Sequence, residues 1–161
     1  MEVRNAMFSP CRRYRYALSI CWDAALPRCM FVMLNPSTAD EFMDDPTVRR
    51  CKGFARDWGF GGLWVGNLFA FRSTDPRGML EVDDPVGPAN DAALVWMALD
   101  ASLLVYAWGA WPDAVERAFQ VAPILGFMRA RHLGVTASGA PRHPLYLSKE
   151  TKPQTFDRLW R

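Results

Sequence analysis

Residues 29–38 read Cys29-Met30-Phe31-Val32-Met33-Leu34-Asn35-Pro36-Ser37-Thr38, an unbroken apolar run followed by an amide, a proline and two hydroxyls. An apolar stretch without polar alternation suits a strand covered on both faces. Leu63 to Phe69 and Leu103 to Ala107 have the same character, and Leu133 to Thr136 reads as a short fourth strand. Helical patterns lie between them. Asp45-Pro46 opens the first, with Asp as N-cap and Pro at the first helical position. Val48, Cys51, Phe54, Ala55 and Trp58 then recur at helical spacing until Gly59. Ala89 to Leu99 reads as the second helix, with Ala92, Val95, Trp96 and Leu99 expected on one side. Asp113 to Arg131 reads as the third, kinked or divided by Pro123.

Strands alternating with helices predict a parallel sheet sandwiched by helices: a three-layer α/β/α fold around a central, mainly parallel four-stranded sheet. Arg13 to Trp22 alternates polar and apolar residues and predicts a further strand. Asp23 to Arg28, containing Pro27, fits a hairpin connection to the run at 29–34, which adds an N-terminal β-hairpin strand. Ser73 to Pro88 and Ala137 to Leu147 read as loops, and a short closing helix is expected after Lys152-Pro153. Without repeats or low-complexity segments, residues 1–161 are expected to form a single domain.

Composition narrows the function classes. The chain has 161 residues, 50% of them hydrophobic, with ten Phe, seven Trp and eight Met, so whole-chain disorder is excluded. No apolar run approaches the roughly 18 residues of a membrane helix, and Met1-Glu2-Val3-Arg4 lacks the apolar core of a secretion signal. A soluble cytoplasmic protein without membrane contacts or an obligate protein partner is the expectation. The net charge of +2 excludes a polycation, yet sixteen Arg stand against three Lys. Arginine suits bidentate phosphate contacts, and high-GC codon usage produces the same skew. Cys11, Cys21, Cys29 and Cys51 contain no CxxC pair, so free thiols are expected rather than zinc or an iron–sulfur cluster.

In parallel α/β sheets, function gathers beyond the C-terminal strand ends. Here those are Asn35 to Thr38, Asn67 to Arg72, Trp108-Gly109 and the loop with Arg142-His143-Pro144. Each candidate has a structural alternative. His143 could be a loop histidine, Asn35 an Asx-turn residue and Asn67 a satisfied core amide. Asp40, Glu41, Asp44 and Asp45 could hold a divalent metal or sit at a helix N-terminus whose dipole favours carboxylates. Arg49, Arg50, Lys52 and Arg56 could touch phosphates or form a solvated face. Gly59-Phe60-Gly61-Gly62 lacks the spacing and lysine of a phosphate-cradling loop.

Five segments in order resemble the domain-of-unknown-function family 1643: residues 33–40, 66–72, Pro85 to Asp91, Ala107-Trp108-Gly109 and Arg142 to Leu147. More distantly, the same landmarks resemble the uracil-DNA glycosylase superfamily, where a first motif, an Asn-bearing second strand and a late His-Pro loop surround an extruded base. That resemblance implies a uracil-DNA glycosylase-like domain acting on modified bases of double-stranded DNA without a metal or other cofactor. By similarity, Asn35 would position the water that attacks the sugar C1′, and His143 would stabilise charge on the departing base. Pro36, Ser37, Thr38 and Asn67 would contact the base, with Phe42 as the stacking aromatic. Arg72 and Arg142 would contact DNA, and Tyr146 or Leu147 would be the wedge left in the stack. The chain departs from the uracil-specific pattern at Ser37, where a bulky Tyr would block large groups at C5. This points to a 5-substituted pyrimidine, such as glucosylated hydroxymethylcytosine of phage DNA, and hence to antiviral defence. The matched motifs lack a lysine for Schiff-base chemistry, so a monofunctional enzyme is expected. A non-catalytic reader of modified bases and a metal-dependent hydrolase using the acidic cluster with His143 are the competing readings.

Overall fold

The structure is a computed structural model and describes residues 1–126 and 129–157. Its strands are β1 (Val3–Phe8), β2 (Arg15–Cys21), β3 (Arg28–Met33), β4 (Gly62–Asn67), β5 (Leu103–Tyr106), β6 (Ala130–His132) and β7 (Gln154–Thr155). The helices are α1 (Pro46–Asp57), α2 (Asn90–Asp100) and α3 (Ala114–Leu125), with a 3₁₀ turn at Pro76–Glu81. The seven strands form one mixed sheet in the order β1-β2-β4-β3-β5-β6-β7. Strands β4, β3, β5 and β6 run parallel; β1, β2 and β7 are antiparallel to their neighbours. The sheet is therefore wider than the expected four strands and a hairpin strand.

Side chains alternate along the buried strands and build a core on each face. Cys29, Phe31 and Met33 of β3, with Leu63, Val65 and Val105, pack against Val48, Cys51, Phe54 and Ala55 of α1. Met30 and Val32, with Trp64, Leu104 and Tyr106, pack with Leu94 and Met97 of α2 and Ala118 and Val121 of α3. The arrangement is helix, sheet, helices. Gly66 lets α2 pack closely on the sheet, since a Cβ there would meet Leu94 Cδ2 at 2.6 Å and Met97 Cε at 2.9 Å. Asp45 caps α1 as read from the sequence, its side chain accepting from Val48 N at 2.8 Å, with Pro46 in the first turn.

Several expectations need correction. Strands β2 and β3 do not form a hairpin: β4 lies between them, antiparallel to β2 and parallel to β3. The hairpin partner of β2 is β1. On α2 the buried residues are Asn90, Ala93, Leu94, Met97 and Ala98, while Trp96 and Leu99 are exposed. The third helix ends at Leu125, before the left-handed Gly126, and Pro123 lies in its last turn. The expected strand at Leu133 to Thr136 is displaced to Ala130–His132, leaving Val135 only an isolated bridge to Pro141. In place of the start of a closing helix, Gln154–Thr155 pairs with β6; residues 158–161 lie outside the described residues. All four cysteines are free. No helix among the described residues is long and apolar enough to cross a membrane.

Candidate functional site

A cavity of about 250 Å³ opens at the C-terminal end of the parallel strands. Asn35 and Ser37, just beyond β3, line it with Asn67 at the end of β4, Trp108 after β5, and His143. Asp45, Thr47 and Val48 contribute the start of α1, and Ser73, Thr74 and Pro76 the loop after β4. Its remaining polar wall is Arg15, the first residue of β2. The long chain separations are closed by backbone bonds. Leu68 N and Phe69 N donate to Met33 O and Leu34 O at 2.8 and 3.0 Å, which fastens the end of β4 to the end of β3. Gly109 N donates to Pro141 O at 2.9 Å and brings the strand-β5 loop to the histidine loop. Gly109 has a φ of +80°, and a Cβ there would lie 3.5 Å from His143 Cβ.

Asn35 is held by its own nitrogen. Nδ2 donates to Ser73 O at 2.9 Å and Pro36 O at 3.2 Å, so both amide hydrogens are engaged and Oδ1 is left as the acceptor. Asn67 is buried and held in the opposite sense. Its Oδ1 accepts from Arg15 Nη2 at 3.4 Å, and its Nδ2 is a buried donor without a partner. Arginine only donates, so the amide atom facing it must be the oxygen. Below Asn67, Nδ2 of the buried Asn90 donates to Asn67 O and Leu68 O at 3.0 and 3.1 Å. Arg117 Nε adds a bond to Leu68 O at 2.9 Å.

His143 is set electrostatically by burial, which lowers its pKa below the ordinary histidine value; Asp45 opposes the shift. Leu145 N donates to its Nδ1 at 3.2 Å. In the neutral ring the proton therefore sits on Nε2, and His143 presents a hydrogen-bond donor without a full charge. Arg15 is the contrasting group. It is only 2% exposed, and burial pulls its pKa down to about 10, which still leaves it charged at neutral pH. Its Nη1 donates to Ala39 O, its Nε has no partner, and among the described residues no carboxylate forms an ion pair with it.

The other sequence candidates are distributed around this cavity. Pro36 is buried, while Thr38 and Phe42 are exposed, and none of the three lines the cavity. Phe42 is 81% exposed; the aromatic that lines the cavity is Trp108. Arg72 lies over the Phe8 ring at 4.8 Å and donates to Arg12 O. Arg142 is exposed. Tyr146 is 93% exposed with a φ of +69°. Leu147 instead packs on the α1 core, and its carbonyl accepts from Arg50.

The acidic cluster is occupied by structural work. Asp40 accepts from Phe42 N and Met43 N, bonds that lower its pKa. Asp44 pairs with Arg4 and Lys52, Glu41 pairs with Arg12, and Asp45 caps α1. Among the described residues, His, Cys, Asp and Glu nowhere gather in a group of three able to hold a metal. The basic residues of α1 are likewise engaged: Arg49 donates to Asp44 O, and Arg56 contacts Glu2 and Trp22.

Sequence reasoning missed Arg15, Asn90 and Arg117, and marked Trp108 as a strand-end residue without giving it a role. A charged residue at the head of an alternating strand was the available signal for Arg15. Asn90 and Arg117 stood inside patterns that read as helix.

The fold and cavity define a mixed α/β protein with a small polar pocket at the C-terminal edge of its parallel strands. The chain belongs to the protein family of unknown function DUF1643, whose model matches residues 15–145. No curated protein and no solved structure matches it.

Proposed function

We propose that the chain is a monofunctional DNA glycosylase that hydrolyses the N-glycosidic bond of a flipped, 5-substituted pyrimidine. One observation carries this reading: Asn35, Asn67 and His143, distant in sequence and marked by the resemblance to the uracil-DNA glycosylase superfamily, line one cavity with Ser37. At about 250 Å³ the cavity falls below the ~300–1,000 Å³ usual for drug-sized ligands and suits a single ring.

In this reading Asn35 Oδ1 accepts a hydrogen bond from the attacking water. An amide cannot take the proton, so its contribution is orientation. His143 donates from Nε2 to the departing base, and Asn67 Nδ2 donates to the base edge. Trp108 provides the aromatic wall. Ser37 leaves room for a C5 substituent where a tyrosine would fill it. Tyr146 is the wedge and Arg72 and Arg142 the phosphate contacts. Excision of bases modified by a phage would serve antiviral defence in the cytoplasm.

The test is a strand-cleavage assay on duplexes carrying uracil, mismatched thymine, hydroxymethylcytosine or glucosylated hydroxymethylcytosine, with alkali to break abasic sites and a chelator throughout. Cleavage at a 5-modified base, lost in Asn35→Ala and His143→Ala, is the expected result. Efficient excision of plain uracil with no preference for 5-modified bases would overturn the substrate assignment. Tight binding without cleavage on any duplex would make the protein a reader of modified bases.

A further inference from the structure

Arg15 poses a question that the proposed chemistry leaves open. A buried guanidinium without a paired carboxylate is costly, because burial removes its water, and Asp45 and Asp40 offset that loss only from beyond ion-pair distance. Yet Arg15 is held in place by Ala39 O and Asn67 Oδ1 at the wall of the cavity. Among the described cavity residues it is the one guanidinium or ammonium group. Its neighbour Asn67 carries the buried Nδ2 donor that has no partner. Both features suit a transient negative charge, which neutral His143 meets only with a dipole.

We infer that Arg15, acting through Asn67, stabilises the negative charge on the base as it leaves and keeps Asn67 in the amide sense that presents a donor to it. This rests on the glycosylase reading. In the step concerned, the water oxygen bonds to C1′ as the C1′–N1 bond breaks. The bond's electron pair stays on N1 and spreads to the exocyclic O2 of the base. The water loses a proton to solvent, and the base anion takes one up on release. One water is consumed and nothing is oxidised or reduced. The bond from Arg15 to Oδ1 draws electron density from the amide and makes Nδ2–H a stronger donor. That donor gains most as the charge grows, so it lowers the barrier without tightening ground-state binding. Arg15 is thus a positioning residue, distinct from the groups that touch the base.

The experiment compares wild type, Arg15→Met and Arg15→Lys on duplexes whose pyrimidine carries hydroxymethyl, fluoro or formyl at C5, a series of increasingly good leaving groups. Arg15→Met keeps the length and apolar stem of the side chain. Its expected loss in kcat is ~10²–10³-fold for hydroxymethyl, the scale of removing one preorganised donor. The loss shrinks steadily towards the formyl base, whose anion needs less help, and KM for the duplex is unchanged. Arg15→Lys restores part of the rate. Equal loss across the series in an Arg15→Met protein that a thermal melt shows to be folded makes Arg15 merely structural and overturns the inference. If Arg15→Met does not fold, Arg15→Lys decides: a smaller loss with the same leaving-group trend supports the inference, and a flat one overturns it. If wild type releases none of these bases, the glycosylase reading fails and the role of Arg15 falls with it; release by wild type with a flat Arg15 response sinks the inference alone.

Discussion

The backbone N–H of Leu145 donates to Nδ1 of His143 across 3.2 Å, two residues back along the chain. A second proton on that ring would set two donors against each other, and burial already disfavours the charged form. The folded pKa therefore lies below the ordinary value of about 6.5. Above that value the ring is neutral in both folded and unfolded chains and contributes no pH dependence. As pH falls below it, the unfolded chain takes up a proton that the native ring refuses, so stability is lost until the folded pKa is passed. Denaturation measured from pH 7.5 to 5 should show this acid loss in wild type and a flatter profile in His143→Gln. Activity should fall only at lower pH, around the folded pKa, where a proton on Nδ1 sets its N–H against that of Leu145 and moves the ring out of place. An identical acid profile in His143→Gln would remove the assignment.

Asn35 supplies a prediction that separates an oriented amide from a general base. Its Nδ2 bonds both Ser73 O and Pro36 O. In Asn35→Asp a carboxylate oxygen would face two carbonyl oxygens, acceptor against acceptor. The exchange should destabilise the protein by about 1–3 kcal/mol and should not raise activity, although an acid at this position would offer a general base. Asn35→Ala should cost ~10²–10³-fold in kcat, the size of other lost transition-state contacts, with the smaller stability penalty. Urea denaturation and single-turnover cleavage give the two numbers. An Asn35→Asp protein more active than wild type would show that the amide is not tuned for orientation.

How far the sequence disclosed this arrangement follows from which patterns are local. Strands β3, β4 and β5 were legible because burial on both faces demands unbroken apolar runs, and α1 because Asp45 and Pro46 mark a helix start by local backbone chemistry. Strand order is not local: nothing between Trp22 and Arg28 announces that β4 will insert between β2 and β3. The face of α2 was misread because Leu94 to Leu99 is apolar all round, which leaves periodicity without contrast. In the site, residues after parallel strands could be found by the strand-end rule. Arg15 could not, since β2 runs antiparallel to β4, which brings the beginning of β2 to the same edge. The same rule marked Trp108 as a strand-end residue, and its ring packs at 4.9 Å from Tyr106 while also walling the cavity.

Asn90 tests how strictly the end of β4 must be held. Its buried Nδ2 ties down Asn67 O and Leu68 O, although Asn90 itself does not line the cavity. Asn90→Leu keeps the side-chain size and removes both donors. The expected cost is about 1–3 kcal/mol for carbonyls left short of partners. Because Asn67 stands on that backbone, kcat should fall as well, while Ala93→Ser, on the same buried helix face but without a bond to β4, should lower stability and leave kcat at the wild-type level. Thermal melts paired with cleavage rates check this; an Asn90→Leu protein that loses stability alone would show that the brace does not position Asn67.

Tyr146 allows stability and function to be driven in opposite directions. Its backbone sits at φ +69°, a conformation costing a non-glycine residue roughly 1–2 kcal/mol, and its side chain is 93% exposed. So large an apolar ring packs on nothing that would offset the strain. Tyr146→Gly removes the strain and adds chain entropy to the unfolded state, about 0.5–1 kcal/mol in the other direction, so stability should hold or rise slightly. If Tyr146 fills the gap left by an extruded base, the same variant should lose excision from duplex DNA. On single-stranded DNA no stack has to be refilled, and its rate should match wild type. Tyr146→Phe should restore duplex activity, since the ring and not the hydroxyl occupies the gap. Equal duplex rates for Tyr146→Gly and wild type would show that the strained tyrosine is not the wedge.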